Sequence, residues 1–143
     1  MCVLVVEDEP IVRELMAECL ADAGFEVEEA ESGDEAVEMI LQQPCRFAAL
    51  VTDFQMPGHL DGSEVAAVIR RRQPDIPVVI ASGRPDMFLD SWQSELGYTL
   101  LRKPFGLDQL VRLVQRLVQR PATPAGTFKA ATSKAGMFKV PGC

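Results

Sequence analysis

The fold is decided by a stretch near the start of the chain, Val3-Leu4-Val5-Val6-Glu7-Asp8-Glu9-Pro10. Its four consecutive apolar residues predict a strand that is buried on both faces, as in the centre of a parallel sheet. The following segment, Ile11–Ala23, has helical periodicity and ends before Gly24, which predicts a helix. The apolar residues of this helix are Ile11, Val12, Leu15, Met16, Cys19 and Leu20.

The same strand–helix unit recurs along the first 120 residues. The other predicted strands are Phe25–Glu29, Phe47–Thr52, Pro77–Ala81 and Thr99–Leu101. Ser32 and Glu35 form a capping-box pattern before the second helix, and Ser63 is the expected cap of the third, which runs to about Gln73. The second helix has the apolar face Ala36, Val37, Ile40 and Leu41, and two further helices are predicted at Asp86–Glu95 and Leu107–Arg120. Five strands alternating with five helices predict a parallel sheet covered on both faces.

Composition and charge bound the class of protein. The 143 residues are 48% hydrophobic and 24% charged, which is typical of a globular protein with one core. All 21 acidic residues precede position 121 and the net charge is −7, so we expect no direct binding to nucleic acid. No apolar run reaches the roughly 20 residues that span a bilayer, and a signal-peptide pattern is absent. We therefore expect a cytoplasmic protein that does not contact the membrane.

Two further features bear on the kind of site and on domain organisation. The four cysteines form no C-x-x-C pair and His59 is the single histidine, so neither a zinc cage nor a Cys–His nucleophile is expected. Residues 121–143 are rich in Ala, Thr, Pro, Gly and Lys and lack periodicity, which predicts a flexible tail. The predicted organisation is one domain over residues 1–120 and a tail over 121–143.

Polar side chains follow the predicted strands at the sheet edge where parallel α/β folds bind ligands. They are Glu7, Asp8 and Glu9 after the first strand, Asp53 after the third, Ser82 after the fourth, and Arg102 and Lys103 after the fifth. Two carboxylates about 4 Å apart repel by roughly 4 kcal/mol at an effective dielectric constant near 20, so such a cluster favours a divalent cation. Because Mg²⁺ accepts carboxylate oxygens, Asp8 and Asp53, assisted by Glu7, are the predicted metal ligands.

The same residues predict phosphoryl transfer. An ionised Asp53 beside Mg²⁺ can attack phosphorus in line and form an acyl phosphate. Lys103 would neutralise developing charge, and the Ser82 hydroxyl would donate to a phosphoryl oxygen. Each residue alone has an ordinary interpretation as a cap, a turn or a surface group. Their joint occurrence at several strand ends favours the site.

Four motifs of the sequence match the order and spacing of a known family. They are Val5-Val6-Glu7-Asp8-Glu9-Pro10, Leu50-Val51-Thr52-Asp53 with Met56-Pro57 and Asp61-Gly62, Ala81-Ser82-Gly83, and Lys103-Pro104-Phe105. Over residues 3–120 the chain resembles the response-regulator receiver family. The resemblance implies a flavodoxin-like fold with strand order 2-1-3-4-5 and a cis peptide bond between Lys103 and Pro104. It further implies that Asp53 is the phosphoacceptor, that Glu7, Asp8 and the backbone carbonyl of Gln55 serve Mg²⁺, and that Ser82 and Lys103 carry the switch and the phosphate contact.

The resemblance also implies a function and partners. It implies a phosphoacceptor domain of a two-component or phosphorelay system, which catalyses only its own phosphorylation and dephosphorylation. Its partners would be a histidine kinase or a histidine phosphotransfer protein and a downstream protein target. The apolar content of the last helix, including Leu113, leaves a homodimer open. The sequence leaves open whether the chain is a single-domain regulator, a phosphorelay intermediate or the receiver of a hybrid kinase.

The chain departs from the family pattern at two places. Leu100 stands three places before Lys103, where the family usually has an aromatic residue, and the loop Met56–Gly62 is one residue longer than usual.

There are three alternative functions. An aspartate-nucleophile phosphohydrolase is one alternative, but it needs a second acid where Gln55 stands. A flavin-binding electron carrier is another, but it needs a phosphate cradle where the acidic loop stands. The third alternative is a receiver fold used as a phosphate-independent interaction module.

Overall fold

Five parallel strands form one sheet at the centre of the molecule. The structure, a computed structural model, describes residues 1–42, 46–83 and 97–119. The strands are β1 (Cys2–Val6), β2 (Glu26–Ala30), β3 (Ala49–Asp53), β4 (Val78–Ser82) and β5 (Thr99–Arg102). Their order in the sheet is β2-β1-β3-β4-β5, and every neighbouring pair is parallel. The predicted flavodoxin-like topology is confirmed.

Within the described residues, four helices cover the two faces of this sheet. They are α1 (Pro10–Asp22), α2 (Gly33–Gln42), α3 (Gly62–Arg72) and α4 (Leu107–Gln119). Helices α1 and α4 pack on one face, and α2 and α3 pack on the other. None of these helices has the length and apolar character needed to cross a membrane. The helix predicted at Asp86–Glu95 and the tail predicted at 121–143 lie outside the described residues.

The central strand shows why the chain forms this sheet. Successive side chains of a strand point to opposite faces, so Val3 and Val5 pack against α1 and α4 while Leu4 and Val6 pack against α2 and α3. All four side chains are fully buried. Burying each one stabilises the fold by roughly 1.5–3 kcal/mol relative to leaving it exposed. The unbroken apolar run at the start of the sequence is the consequence of covering both faces of β1.

The buried sides of two helices differ from the prediction. Ile11, Val12, Leu15 and Leu41 belong to the predicted apolar sets of the first two helices, yet they are exposed, by 71%, 37%, 44% and 55%. The buried face of α1 contains Met16 and Leu20, which were also in the predicted set, and Ala17, which was not. Helical spacing places apolar residues in stripes along a helix, and α1 has two adjacent stripes. The packing of α1 on the sheet, which periodicity does not contain, selects the stripe that is buried.

Helix α3 begins two residues earlier than predicted. Asp61 is its cap: Asp61 Oδ1 accepts the N–H of Glu64 at 3.0 Å, and Glu64 Oε1 accepts the N–H of Asp61 at 2.8 Å. Ser63, the predicted cap, lies inside the first turn and donates its hydroxyl to Asp61 Oδ1 at 2.7 Å. A carboxylate that accepts both the hydroxyl and the backbone N–H makes Asp61 the better cap at this position.

At α2 one half of the predicted capping box is present. Ser32 Oγ accepts the N–H of Glu35 at 3.1 Å, as expected for a cap. The Glu35 carboxylate accepts the N–H of Glu31 at 2.7 Å, whereas the pattern predicted a bond to the N–H of Ser32. The acceptor reaches one residue further back, so the turn before α2 is still fixed from both ends.

A buried amide side chain joins the end of α3 to the segment that enters β3. Gln73 Oε1 accepts the N–H of Phe47 and Gln73 Nε2 donates to the carbonyl of Phe47, both at 2.8 Å. Each buried backbone group left without a partner costs about 1–3 kcal/mol. For Gln73→Ala we therefore expect the free energy of unfolding in urea to fall by about 2–4 kcal/mol.

The variant Gln73→Glu tests this reason. Its carboxylate has nearly the same shape and still accepts the N–H of Phe47, but it sets an oxygen against the carbonyl of Phe47. We expect Gln73→Glu to lose stability as well, and to lose more of it as the pH rises and the carboxylate ionises. A Gln73→Ala variant as stable as the wild type would contradict the assignment.

Candidate functional site

The carboxyl ends of three strands bring acidic and basic side chains together. Carboxylate oxygens of Glu7, Asp8 and Asp53 lie within 4.8 Å of one another. Lys103 follows β5, and its Nζ lies 3.0 Å from Asp53 Oδ1 and 3.7 Å from Glu7 Oε1. The acids that follow β1 and end β3 therefore share one site with the ammonium that follows β5.

Hydrogen bonds between neighbouring strands continue up to this site. The N–H of Phe54 donates to the carbonyl of Ala81 at 2.9 Å, and the N–H of Lys103 donates to the carbonyl of Ser82 at 2.9 Å. Asp53 and Ser82 are the last residues of β3 and β4, and Ser82 is buried. The peptide bond between Lys103 and Pro104 is cis. Ser82 thus lies on the strand between those that carry Asp53 and Lys103.

The loop after Asp53 folds back next to the site. The N–H of Gly62 donates to the carbonyl of Phe54 at 2.8 Å, and a Cβ atom at Gly62 would collide with the carbonyl oxygen of Asp53. Glycine is required at this close approach because it has no Cβ. Gln55 lies exposed in the same loop, and the role of its carbonyl as a metal ligand stays a prediction.

The pKa values of the two acids nearest to Lys103 are raised, and burial is the largest cause for both. Burial raises the pKa of Glu7 above its ordinary value; the N–H of Glu9, 3.2 Å from Glu7 Oε2, lowers it, and the charge of Asp53 raises it further. Burial also raises the pKa of Asp53, against the hydrogen bond and charge of Lys103. Burial by itself would lower the pKa of Lys103, but Asp53, with the charges of Glu7 and Asp8, raises it overall. Lys103 is therefore charged, and it does not fully offset the acids.

The donor set fits a divalent cation. Three carboxyl groups face one ammonium, so the acids outnumber the positive charge beside them. A hard cation with oxygen ligands offsets the negative charge that such acids carry when ionised. Among the residues that the structure describes, this is the one group of at least three metal-ligating side chains at that spacing. The residues present therefore match the ligand preference of Mg²⁺.

Because the fold brings these acids together, we expect its stability to depend on pH and on divalent cations. Because the pKa values of Glu7 and Asp53 are raised on folding from 4.5 and 3.8, the folded chain binds more protons than the unfolded chain in the range just above those values. Stability from these groups therefore falls as the pH rises through that range. At neutral pH without metal, we expect Asp53→Asn to melt a few degrees higher than the wild type.

Thermal melts at about pH 5 and about pH 7.5 check this prediction. The advantage of Asp53→Asn should shrink at the lower pH, where the wild-type carboxyl is closer to neutral. Millimolar Mg²⁺ should raise the melting temperature of the wild type and have little effect on the variant. NaCl at equal ionic strength controls for screening. An Asp53→Asn variant that melts below the metal-free wild type at neutral pH would contradict the sign of the effect.

Comparison with known protein families agrees with this geometry. The family model of the response regulator receiver domain matches residues 3–115, which is most of the chain. The chain belongs to the response-regulator receiver family. The predicted family is confirmed, and the receiver domain accounts for the sheet and for the acidic group at its edge.

The receiver domain has relatives among longer signalling proteins. A putative NtrX-like response regulator of Rickettsia typhi is 34% identical over 116 residues, which cover 80% of this chain and 24% of the relative. Response regulator MprA of Mycobacterium sp. (strain KMS) is 34% identical over 137 residues, which cover 88% of this chain and 56% of the relative. Sensor kinase CckA of Brucella abortus is 34% identical over 119 residues, or 82% of this chain and 12% of the kinase. The chain thus spans about a quarter of the NtrX-like relative and about half of MprA.

Solved receiver structures share both the fold and the sequence pattern. The response regulator TrrA of Thermotoga maritima, in complex with Mg²⁺ and BeF, is 32% identical with a TM-score of 0.69, over 81% of this chain and 97% of that one. The receiver domain of the hybrid histidine kinase CckA is 31% identical with a TM-score of 0.70, over 83% of this chain and 100% of that one. The receiver domain described here therefore has the architecture of experimentally solved members of its family.

Leucine stands at the position where the family usually has an aromatic residue. Leu100 is partly buried and packs against the core cluster on the side of α2 and α3. Tyr98, two residues earlier, is buried in that cluster, with the guanidinium of Arg70 5.1 Å from its ring centroid. The aromatic ring of this segment is thus part of the core, held against α3 by Arg70.

One residue near the site was not predicted from the sequence. Arg13 donates from Nη1 to the carbonyl of Glu7 at 2.8 Å, and its Nε lies 3.4 Å from Glu29 Oε1. Its position could have been noticed in the sequence, because Arg13 is a basic residue near the start of the helix that follows the acidic loop. Of the two basic residues after the fifth predicted strand, Arg102 ends β5 with an exposed side chain, and Lys103 supplies the cation beside Asp53.

Proposed function

We propose that this receiver domain accepts a phosphoryl group on Asp53 from a phosphohistidine, with Mg²⁺ held by Glu7, Asp8 and Asp53. The observation that carries the proposal is the 3.0 Å contact between Lys103 Nζ and Asp53 Oδ1 beside two further carboxylates. This arrangement pairs one carboxylate nucleophile with a charged donor and leaves acidic oxygens over for a cation. The Mg²⁺–BeF complex of TrrA supports Mg²⁺ as the cation.

The transfer step needs a nucleophile, charge neutralisation and a leaving group. A carboxylate oxygen of Asp53 attacks phosphorus in line and the P–N bond of the phosphohistidine breaks. The ring takes the bonding electron pair and, with a proton on its other nitrogen, departs as neutral imidazole. Lys103 stabilises the negative charge on the phosphoryl oxygens, and the hydroxyl of Ser82 donates to one of them once the group is bound. Mg²⁺, when bound, neutralises charge shared between the carboxylates and the incoming phosphoryl group.

The partners follow from this chemistry and from the relatives. A histidine kinase or a histidine phosphotransfer protein would supply the phosphoryl group, and relatives include both response regulators and a sensor kinase. A phosphorylated Asp53 would add negative charge next to Lys103 and Ser82. This would shift the domain between two conformations, toward the one whose surface binds a downstream protein target. The domain would turn over no external substrate beyond its own phosphorylation and dephosphorylation.

Intact mass spectrometry tests the proposal. The protein is incubated with acetyl phosphate and Mg²⁺, and a parallel sample contains excess EDTA. We expect a single phosphoryl adduct with Mg²⁺ and none with EDTA, because the acidic group requires a cation to bring a phosphoryl group close. Failure to form the adduct with acetyl phosphate and with a panel of histidine kinases would overturn the proposal.

No observation favours the alternative functions. A phosphohydrolase would need a second acid two residues after Asp53, and that residue is the exposed Gln55. A flavin carrier would need a phosphate-binding loop after β1, and that loop carries the acids of the cluster. Release of inorganic phosphate from a phosphate ester at many turnovers per protein would reinstate the first alternative, and a bound yellow chromophore would reinstate the second.

A further inference from the structure

Arg13 is placed to hold the backbone that carries two of the three acids. Its Nη1 lies 2.8 Å from the carbonyl oxygen of Glu7, and its side chain is 16% exposed. We propose that Arg13 is a positioning residue for the Mg²⁺ site, which fixes the Glu7–Asp8 peptide so that both carboxylates face Asp53. This inference rests on the proposed function, since it concerns the same site.

The planarity of the peptide bond explains how one contact orients two side chains. The carbonyl of Glu7 and the amide nitrogen of Asp8 belong to one rigid plane. A hydrogen bond to that carbonyl therefore restricts the rotation of the plane about the Cα atoms of both residues. Fixing the plane limits the directions in which the side chains of Glu7 and Asp8 can leave the backbone, and these are two of the groups that converge within 4.8 Å.

Other hydrogen bonds hold the same turn together with the one from Arg13. The N–H of Glu7 donates to the carbonyl of Ala30 at 3.1 Å, which fixes the other side of the Glu7 Cα atom. The N–H of Glu9 donates to Glu7 Oε2 at 3.2 Å, and the N–H of Arg13 donates to the carbonyl of Glu9 at 2.9 Å. The acidic turn is thereby tied to β2 on one side and to α1 on the other.

The ion pair with Glu29 fits arginine better than lysine. Arg13 Nε lies 3.4 Å from Glu29 Oε1 while Nη1 reaches the carbonyl of Glu7. A guanidinium offers several donors in a fixed planar fork, so it can bind two acceptors at once, whereas an ammonium is a single point charge. Glu29 also offsets the charge of Arg13, which would otherwise oppose a nearby cation. The side chain can therefore position the acids without repelling Mg²⁺.

Mg²⁺ titrations of the full chain test the inference, with the melting temperature as readout and no phosphodonor present. Loss of a group that orients metal ligands weakens metal affinity by about 10–100-fold. We expect Arg13→Ala to raise the Mg²⁺ concentration that gives half of the maximal thermal stabilisation by at least about tenfold. Arg13→Lys should recover part of that loss. The rate of phosphorylation by acetyl phosphate should be restored in Arg13→Ala when Mg²⁺ is raised.

Arg112→Ala is the matched control. It removes the same charge from an exposed pair with Asp108 on α4, with side chains 71% and 79% exposed, and it should leave the Mg²⁺ midpoint unchanged. Arg13 is a purely structural tie, and the proposal is wrong, if Arg13→Ala lowers the melting temperature equally with and without Mg²⁺ and keeps the wild-type midpoint. If Arg13→Ala does not fold, Arg13→Lys is measured in its place. An equal loss of melting temperature with and without Mg²⁺, together with the wild-type Mg²⁺ midpoint, would then show that the proposal is wrong. A wild type that gains no stability from Mg²⁺ and forms no adduct is a distinct result, which would overturn the proposed function itself.

Discussion

Replacing Asp53 with asparagine is expected to abolish the phosphoryl adduct completely in acetyl phosphate and Mg²⁺. The amide is a poor nucleophile, and it also removes one of the three negative charges that lie within 4.8 Å of one another. The nucleophile and part of the cation site are lost in one substitution. Intact mass after incubation with the donor measures the outcome, and the wild type should carry one phosphoryl group under the same conditions.

The matched control for this loss is Asp108→Asn. Asp108 is an exposed acid in the first turn of α4, paired with Arg112, so the same chemical change there should leave the adduct unchanged. Unfolding cannot explain the expected loss, because Asp53→Asn should be at least as stable as the metal-free wild type. An adduct that persists in Asp53→Asn would place the phosphoacceptor on another residue.

Replacing Lys103 with alanine is expected to slow phosphorylation by about 10²–10³-fold, the range seen when one donor that stabilises developing charge is removed. Lys103 Nζ is the cation nearest to the nucleophile among the contacts of this site, at 3.0 Å from Asp53 Oδ1. Its loss leaves the acids with more negative charge, so Mg²⁺ should bind no more weakly than in the wild type. A lower rate without weaker Mg²⁺ binding is the expected signature, measured by adduct formation over time and by the Mg²⁺ titration.

Lys103→Arg separates charge from placement. It keeps the positive charge but replaces a point charge with a planar fork, so we expect a rate between those of Lys103→Ala and the wild type. Loss of Lys103 should lower the phosphorylation rate without weakening Mg²⁺ binding. Loss of Arg13 should do the opposite: it should weaken Mg²⁺ binding and leave the rate at high Mg²⁺ unchanged. A Lys103→Ala variant with the wild-type rate would show that the 3.0 Å contact has no part in the transfer.

Much of the site could be predicted because its residues follow strands. The alternation of apolar runs with helical segments located each strand to within one or two residues. Because the carboxyl ends of parallel strands lie at one edge of the sheet, the polar residues that follow those strands could be assigned to that edge. Glu7, Asp8, Asp53 and Lys103 were brought together as predicted. The carbonyl of Gln55 and the hydroxyl of Ser82 remain predictions as functional groups, since their roles depend on a bound metal and phosphate.

What could not be predicted depends on contacts between residues far apart in sequence. Periodicity identified the apolar residues of α1 but not which of them are buried: Met16 is buried, whereas Ile11, Val12 and Leu15 are exposed. Local pattern offered Ser63 as a cap, and the acceptor geometry selected Asp61. Arg13 was not singled out, because its two acceptors come from the ends of β1 and β2.

The sequence by itself determined the class of fold, the family and the chemical groups at the sheet edge, because strand burial and strand ends leave a local pattern in the order of residues. Only the tertiary structure decided the 3.0 Å pairing of Lys103 with Asp53, the buried stripe of α1 and the tie from Arg13 to Glu7 and Glu29. These depend on how strands and helices pack against one another. Packing joins atoms whose separation in space has no regular relation to their separation along the chain.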